Sequence, residues 1–181
     1  MAWQAHWLLA APHRLAFFAG ALMLGLSALW WCAALVGPSL GQDIPWAVMP
    51  SAAHALLFSL GFMPLFIVGF LFTAGPKWLL QPEVAARELL LPVLATVMGW
   101  LVCMLGFHVS TSLAALGMSL VTLAWVAVCL RFFGMWRRSR ASDKAHASVI
   151  LCASLLGAVA MLVIWLLLLL GSRSAFRRRL A

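Results

Sequence analysis

The chain has 181 residues, 66% of them hydrophobic and only 9% charged, and its net charge is +8. A globular domain usually carries about 25% charged residues, so this shortage excludes a water-soluble core and places the chain in lipid. The positive charge does not signal nucleic acid. The basic residues flank apolar runs, as the positive-inside rule expects, and neither line a groove nor alternate with stacking aromatics.

Residues 1–11 hold Trp3, His6 and Trp7 without a charged side chain and are expected along the membrane interface. A first helix is predicted over about 12–36, with Pro12 in its first turn and Gly37-Pro38 as its stop. It is too long for a cleaved signal peptide and lacks a convincing small-residue cleavage site. A loop with Asp43 and no basic residue leads to a second helix over about 46–74, with Pro50 near its start. Pro64 lies inside this helix and should distort it, because the ring removes one backbone bond and crowds the preceding turn. Such broken backbone is tolerated in a membrane where neighbouring protein covers it, so this helix should face its partners. Gly75-Pro76 is expected to end it in a turn, opening a polar loop through Glu88.

A third helix over about 89–107 and a fourth over about 112–133 are joined by the short turn His108–Thr111 and should form an antiparallel hairpin. Residues 131–144 form the strongest basic loop, and a fifth helix covers about 146–171 before an arginine-rich tail. The fold expected is all-α: a single polytopic transmembrane helix bundle, residues 1–181, with about five spanning helices. Trp46, Trp78 and Trp136 fall near helix ends, where indoles anchor at the bilayer interface. The four cysteines, Cys32, Cys103, Cys129 and Cys152, lie inside apolar runs without metal-ligand spacing and read as packing residues.

Loop charge places the N-terminus in the cytoplasm, with Arg14, Lys77, Arg87 and the basic residues of 131–144 on the inner side. Five crossings then put Arg173, Arg177, Arg178 and Arg179 outside, against the rule. The tail is an exception, the last run does not cross fully, or a partner segment is missing; an incomplete piece of a larger architecture is the expectation. The bilayer is the chief partner, with a membrane-protein partner or a homo-oligomer besides.

The same topology pairs the histidines. His54 opens the second helix and His108 closes the third, both outside; His13 opens the first helix and His146 the fifth, both inside. Two neutral imidazoles on facing helices can ligate a haem iron axially or contribute to a copper site, and bundles build such sites between helices. The plain alternative is a hydrogen-bonding histidine at each helix end, and His6 carries least of the metal reading. No acidic residue lies inside a helix to orient a ligand, which leaves backbone carbonyls for that role. Intramembrane acid–base catalysis and proton-coupled transport lack their carboxylates, since Asp43, Glu83, Glu88 and Asp143 are all expected in loops.

Two motif blocks carry a resemblance. Pro12-His13-Arg14-Leu15 with Phe17-Phe18-Ala19-Gly20, and His54…Phe58 followed by Gly69-Phe70-Leu71-Phe72-Thr73-Ala74-Gly75-Pro76-Lys77-Trp78, together resemble the N-terminal part of the NnrS family. The resemblance covers residues 12–80. It implies a bacterial inner-membrane protein associated with haem, copper and the response to nitric oxide, with His13 and His54 as the residues that carry the site. That family has a His-x-His-Glu pattern at the second helix; here Ala52 and Ala55 replace the first histidine and the glutamate. The chain is also about half the family's usual length. The leading expectation is an NnrS-like metal-handling or protective protein rather than a turnover enzyme, ahead of a cofactor-free assembly subunit and, last, a small-solute transporter subunit.

Overall fold

The computed structural model describes residues 5–180, and the side chains of residues 7–172. A 3-10 turn over Ala5–Ala10 leads into five helices, each long and apolar enough to cross a membrane: α1 (Pro12–Val36), α2 (Pro50–Trp78), α3 (Ala86–Val109), α4 (Thr111–Arg138) and α5 (Ala145–Leu180). At 1.5 Å per residue even the shortest reaches about 36 Å, more than the roughly 30 Å hydrocarbon layer. The side chains of His6 and of the four tail arginines lie outside those described.

Pro12 is the first helical residue of α1, where its missing N–H is not needed, and Ala11 before it is extended because the proline ring crowds a helical residue there. The left-handed residue that closes this end is Gly41, at φ 72°, after a further 3-10 turn over Pro38–Leu40; Gly37 itself is still helical.

α2 departs most from expectation. It starts at Pro50, and Gly75-Pro76 does not end it: the helix runs on to Trp78. The chain then reverses at Leu80, which holds a left-handed φ of 49°. The N–H of Gln81 bonds the Pro76 carbonyl at 2.8 Å and that of Leu80 the Lys77 carbonyl at 3.4 Å, a Schellman closure with leucine where glycine is usual. Inside α2 the distortion expected at Pro64 takes the form of a π-helical stretch, Leu57–Phe62. Pro64 offers no N–H to Leu60 and crowds its carbonyl, and the wider turn relieves that clash.

The later helices are longer than expected at both ends. α3 starts at Ala86 because the Glu88 carboxylate accepts the Ala85 N–H at 3.2 Å. Only Ser110 separates α3 from α4; its hydroxyl accepts the Leu113 N–H at 3.2 Å and caps α4. α4 carries Arg131, Arg137 and Arg138 as helical residues, two of them in the last turn, where cations favour the helix dipole. The basic loop therefore shrinks to residues 139–144.

α3 and α4 form the tight hairpin, α5 packs on α4, and α1 packs on α2 and α3, while α2 meets α4 only sparsely. The α1–α2 seam is reciprocal. Phe66 lies over Gly20 and Phe17 over Gly69, with the two rings stacked at 5.2 Å. α4 is the most deeply buried helix and α2 the next, with one face (Leu65, Val68, Phe72) inside and another (Met63, Ile67, Phe70) exposed. Cys103 and Cys129 are buried packing residues, but Cys32 and Cys152 are exposed on the two outermost helices.

Candidate functional site

The bundle has two chemically distinct ends. At the aromatic end, the last turns of α1 present Trp30 and Trp31 in succession, with rings 6.4 Å apart. Successive helical residues point about 100° apart, so the two indoles serve different neighbours. Trp30 Nε1 donates to His108 Nε2 at 2.9 Å, while His108 Nδ1 lies 3.0 Å from the Pro45 carbonyl oxygen. A carbonyl only accepts, so Nδ1 carries the hydrogen and His108 is neutral with both ring nitrogens engaged. Trp46 packs 4.5 Å from the same ring, and the N–H groups of Ala47 and Val48 bond the Phe107 carbonyl at 2.8 and 3.2 Å. His108 thus fastens the 37–49 loop to the bundle.

His54 lies flat on Trp31, centroids 4.2 Å apart and planes 13° apart. Its Nδ1 is buried and has no hydrogen-bond partner among the described residues. His54 and His108 therefore share one end and one run of rings, His54–Trp31–Trp30–His108–Trp46. They differ in what they offer. A metal ligated by His108 Nε2 needs the lone pair that Trp30 holds, so joint ligation by this pair does not fit unless Trp30 withdraws; His54 offers an unclaimed nitrogen. Trp30 and Trp31, which the sequence did not single out, are what set this difference. Trp30→Phe is expected to lower stability by about 1 kcal/mol, the net worth of one part-buried hydrogen bond, in detergent thermal unfolding. An unchanged midpoint would mean that the bond does not hold the loop.

At the basic end, His13 Nδ1 lies 3.4 Å from Thr73 Oγ1, and that hydroxyl donates to the Gly69 carbonyl at 2.8 Å. With its hydrogen committed there, Thr73 accepts from His13 Nδ1–H, which leaves a lone pair on Nε2. A hydroxyl, rather than the expected backbone carbonyl, orients this ring. His13 borders a cleft of about 650 Å³ lined also by Phe72, Thr73, Lys77, Glu83 and Arg87. His146 is exposed and meets Trp78 edge-on at 5.8 Å. His13 and His146 thus flank the same end of α2, but only His13 faces the cleft. Nearby, Arg131 and Glu88 pair across the α3–α4 hairpin, and Lys144 bonds the Ser139 carbonyl at 2.6 Å, capping α4.

Among the described residues no group of three or more His, Cys, Asp or Glu gathers to hold a metal ion. The donor set fits a cofactor at single imidazoles, His54 through Nδ1 and His13 through Nε2, with the rest of any coordination shell supplied from outside these residues. Comparison with curated proteins and with solved structures finds no match. Residues 7–180 do match the family described as NnrS protein, well beyond residues 12–80. The cleft joins the two motif blocks, Pro12-His13 from one and Thr73, Pro76 and Lys77 from the other. With that match over nearly its whole length, the chain belongs to the NnrS family.

Proposed function

We propose that this NnrS-family protein binds haem or copper through histidine in the bacterial inner membrane and acts in the nitric-oxide response or denitrification. The observation that carries the reading is the buried, unpartnered Nδ1 of His54, held flat on Trp31 near the start of α2. An imidazole nitrogen kept from water without a partner is costly unless something else claims it. His13, oriented by Thr73 with Nε2 left over, is the second candidate ligand. His108 and His146 take supporting places, one latching the loop and the other resting on Trp78. Bound iron or copper would supply coordination of nitric oxide and one-electron chemistry; the chain orients the ligand ring and walls it with aromatics. The exposed Ala52 and Ala55 beside His54 leave room for ligands from a membrane partner or a second copy. The basic end, with Lys77, Arg87, Arg137 and Arg138, faces the cytoplasm in this reading.

The test is purification in detergent followed by an optical spectrum and metal analysis. The expected result is a Soret band or stoichiometric copper. Neither signal, in protein expressed with haem and copper supplied, would overturn the proposal. The second reading, a cofactor-free assembly subunit, is favoured by His108, whose two nitrogens both do structural work. It predicts instead a stable partner that co-purifies with metal-free protein.

A further inference from the structure

The cleft at the basic end has properties that metal ligation by one imidazole does not use. It is a chamber of about 650 Å³ where the start of α1, the end of α2 and the start of α3 converge. Lys77 and Arg87 both line it, and neither forms an ion pair among the described residues. Glu83 is the one carboxylate in the lining, so two cations face one anion. The backbone adds to this excess. The amides of His13, Ala86 and Arg87 lie in the first turns of α1 and α3, where an N–H has no helical acceptor. Two helix N-termini thereby bring their positive ends to one cleft lined also by two exposed cations, Lys77 and Arg87. The remaining walls, Leu9, Pro12, Phe72 and Val84, are apolar.

We propose that this cleft binds a phosphate-bearing anion, with Lys77 and Arg87 on its charged oxygens and the amides of His13, Ala86 and Arg87 beneath. Arg87 supplies a planar fork suited to two phosphate oxygens, and Lys77 a point charge that follows the group. The site lies at the end of three membrane-length helices, the part of a spanning bundle that meets headgroups and water, so the anion has two sources of the same chemistry: an acidic lipid headgroup or a soluble phosphate. The apolar walls suit the glycerol and upper acyl region of a lipid. The proposal is independent of whether His54 binds a metal.

The experiment uses the full chain in detergent, with phosphatidylglycerol and phosphatidylcholine added for native mass spectrometry and inorganic phosphate titrated by calorimetry. Each cation near a charged surface contributes enough that Lys77→Gln or Arg87→Gln should weaken binding about fivefold, and both together roughly 25-fold. Arg137→Gln with Arg138→Gln changes net charge equally away from the cleft and should leave binding unchanged. Phosphatidylglycerol bound in preference to phosphatidylcholine, without phosphate binding, assigns the lipid; phosphate binding assigns the soluble anion. If the double variant does not fold, the single variants carry the test, and Lys77→Arg should retain affinity. Failure of both probes to bind, or binding that Lys77→Gln and Arg87→Gln leave intact, overturns the proposal.

Discussion

Gly117→Leu is expected to destabilise the bundle by about 3 kcal/mol or more and to open the α3–α4 hairpin. A Cβ at this position would lie 2.5 Å from the Gly99 carbonyl oxygen and 2.6 Å from the Cys103 backbone nitrogen. Both are main-chain atoms that cannot rotate away, so the helices must separate. The reverse substitution meets the same wall, since a Cβ at Gly99 would come 2.8 Å from the Gly117 carbonyl. In lipid, helices gain little from burying apolar surface against one another, and close packing of backbones is what joins them. Separation would also break the Cys103 Sγ–H bond to the Ala114 carbonyl and loosen the packing around the buried Trp100 and Phe107. Gly25→Leu is the control. It makes the same change on a helix of the same kind, but nothing lies within 4 Å of its added Cβ. Its cost is expected to stay within about 0.5 kcal/mol. Unfolding in mixed micelles with rising dodecyl sulfate compares the two, and equal midpoints would refute a backbone contact at Gly99–Gly117.

That contrast also marks what can be read from a sequence like this one. Five apolar runs of membrane length, punctuated by Gly-Pro and basic segments, suffice for the number and order of helices, because lipid demands that every backbone bond be made within a helix. The ends are harder. Gly75-Pro76 has the composition of a turn, yet the chain turns at Leu80, whose left-handed backbone no residue preference announces. α4 runs on past the expected 133 to Arg138, through residues read as a basic loop, and the Arg131–Glu88 pair across the hairpin is set by tertiary packing. Topology is enough to sort His54 with His108 and His13 with His146 by end. The state of each ring is not legible, since it depends on partners far away in the chain: Trp30 is 78 residues from His108, and Thr73 is 60 from His13. An indole N–H decides that one imidazole is occupied, and a hydroxyl that another is poised.

The second large effect follows from that inequality between the histidines. If the protein carries haem or copper, His54→Ala is expected to reduce bound cofactor more than about a hundredfold, beyond the roughly 10–100-fold typical for loss of a supporting hydrogen bond alone. His108→Ala should behave differently. It strands the Trp30 N–H and frees the Pro45 carbonyl, so it costs about 1–3 kcal/mol of stability while the cofactor signal shifts rather than disappears. His13→Ala separates the two ends: loss of signal there, with His54→Ala silent, would move the site to the cleft beside Thr73. Each variant is read twice, by cofactor content per folded protein and by thermal midpoint, so that a ligand and a fastening are told apart. Should His54→Ala keep its full spectrum at an unchanged midpoint, the unpartnered Nδ1 is only a tolerated buried nitrogen, and the aromatic end is a structural clasp closed by His108.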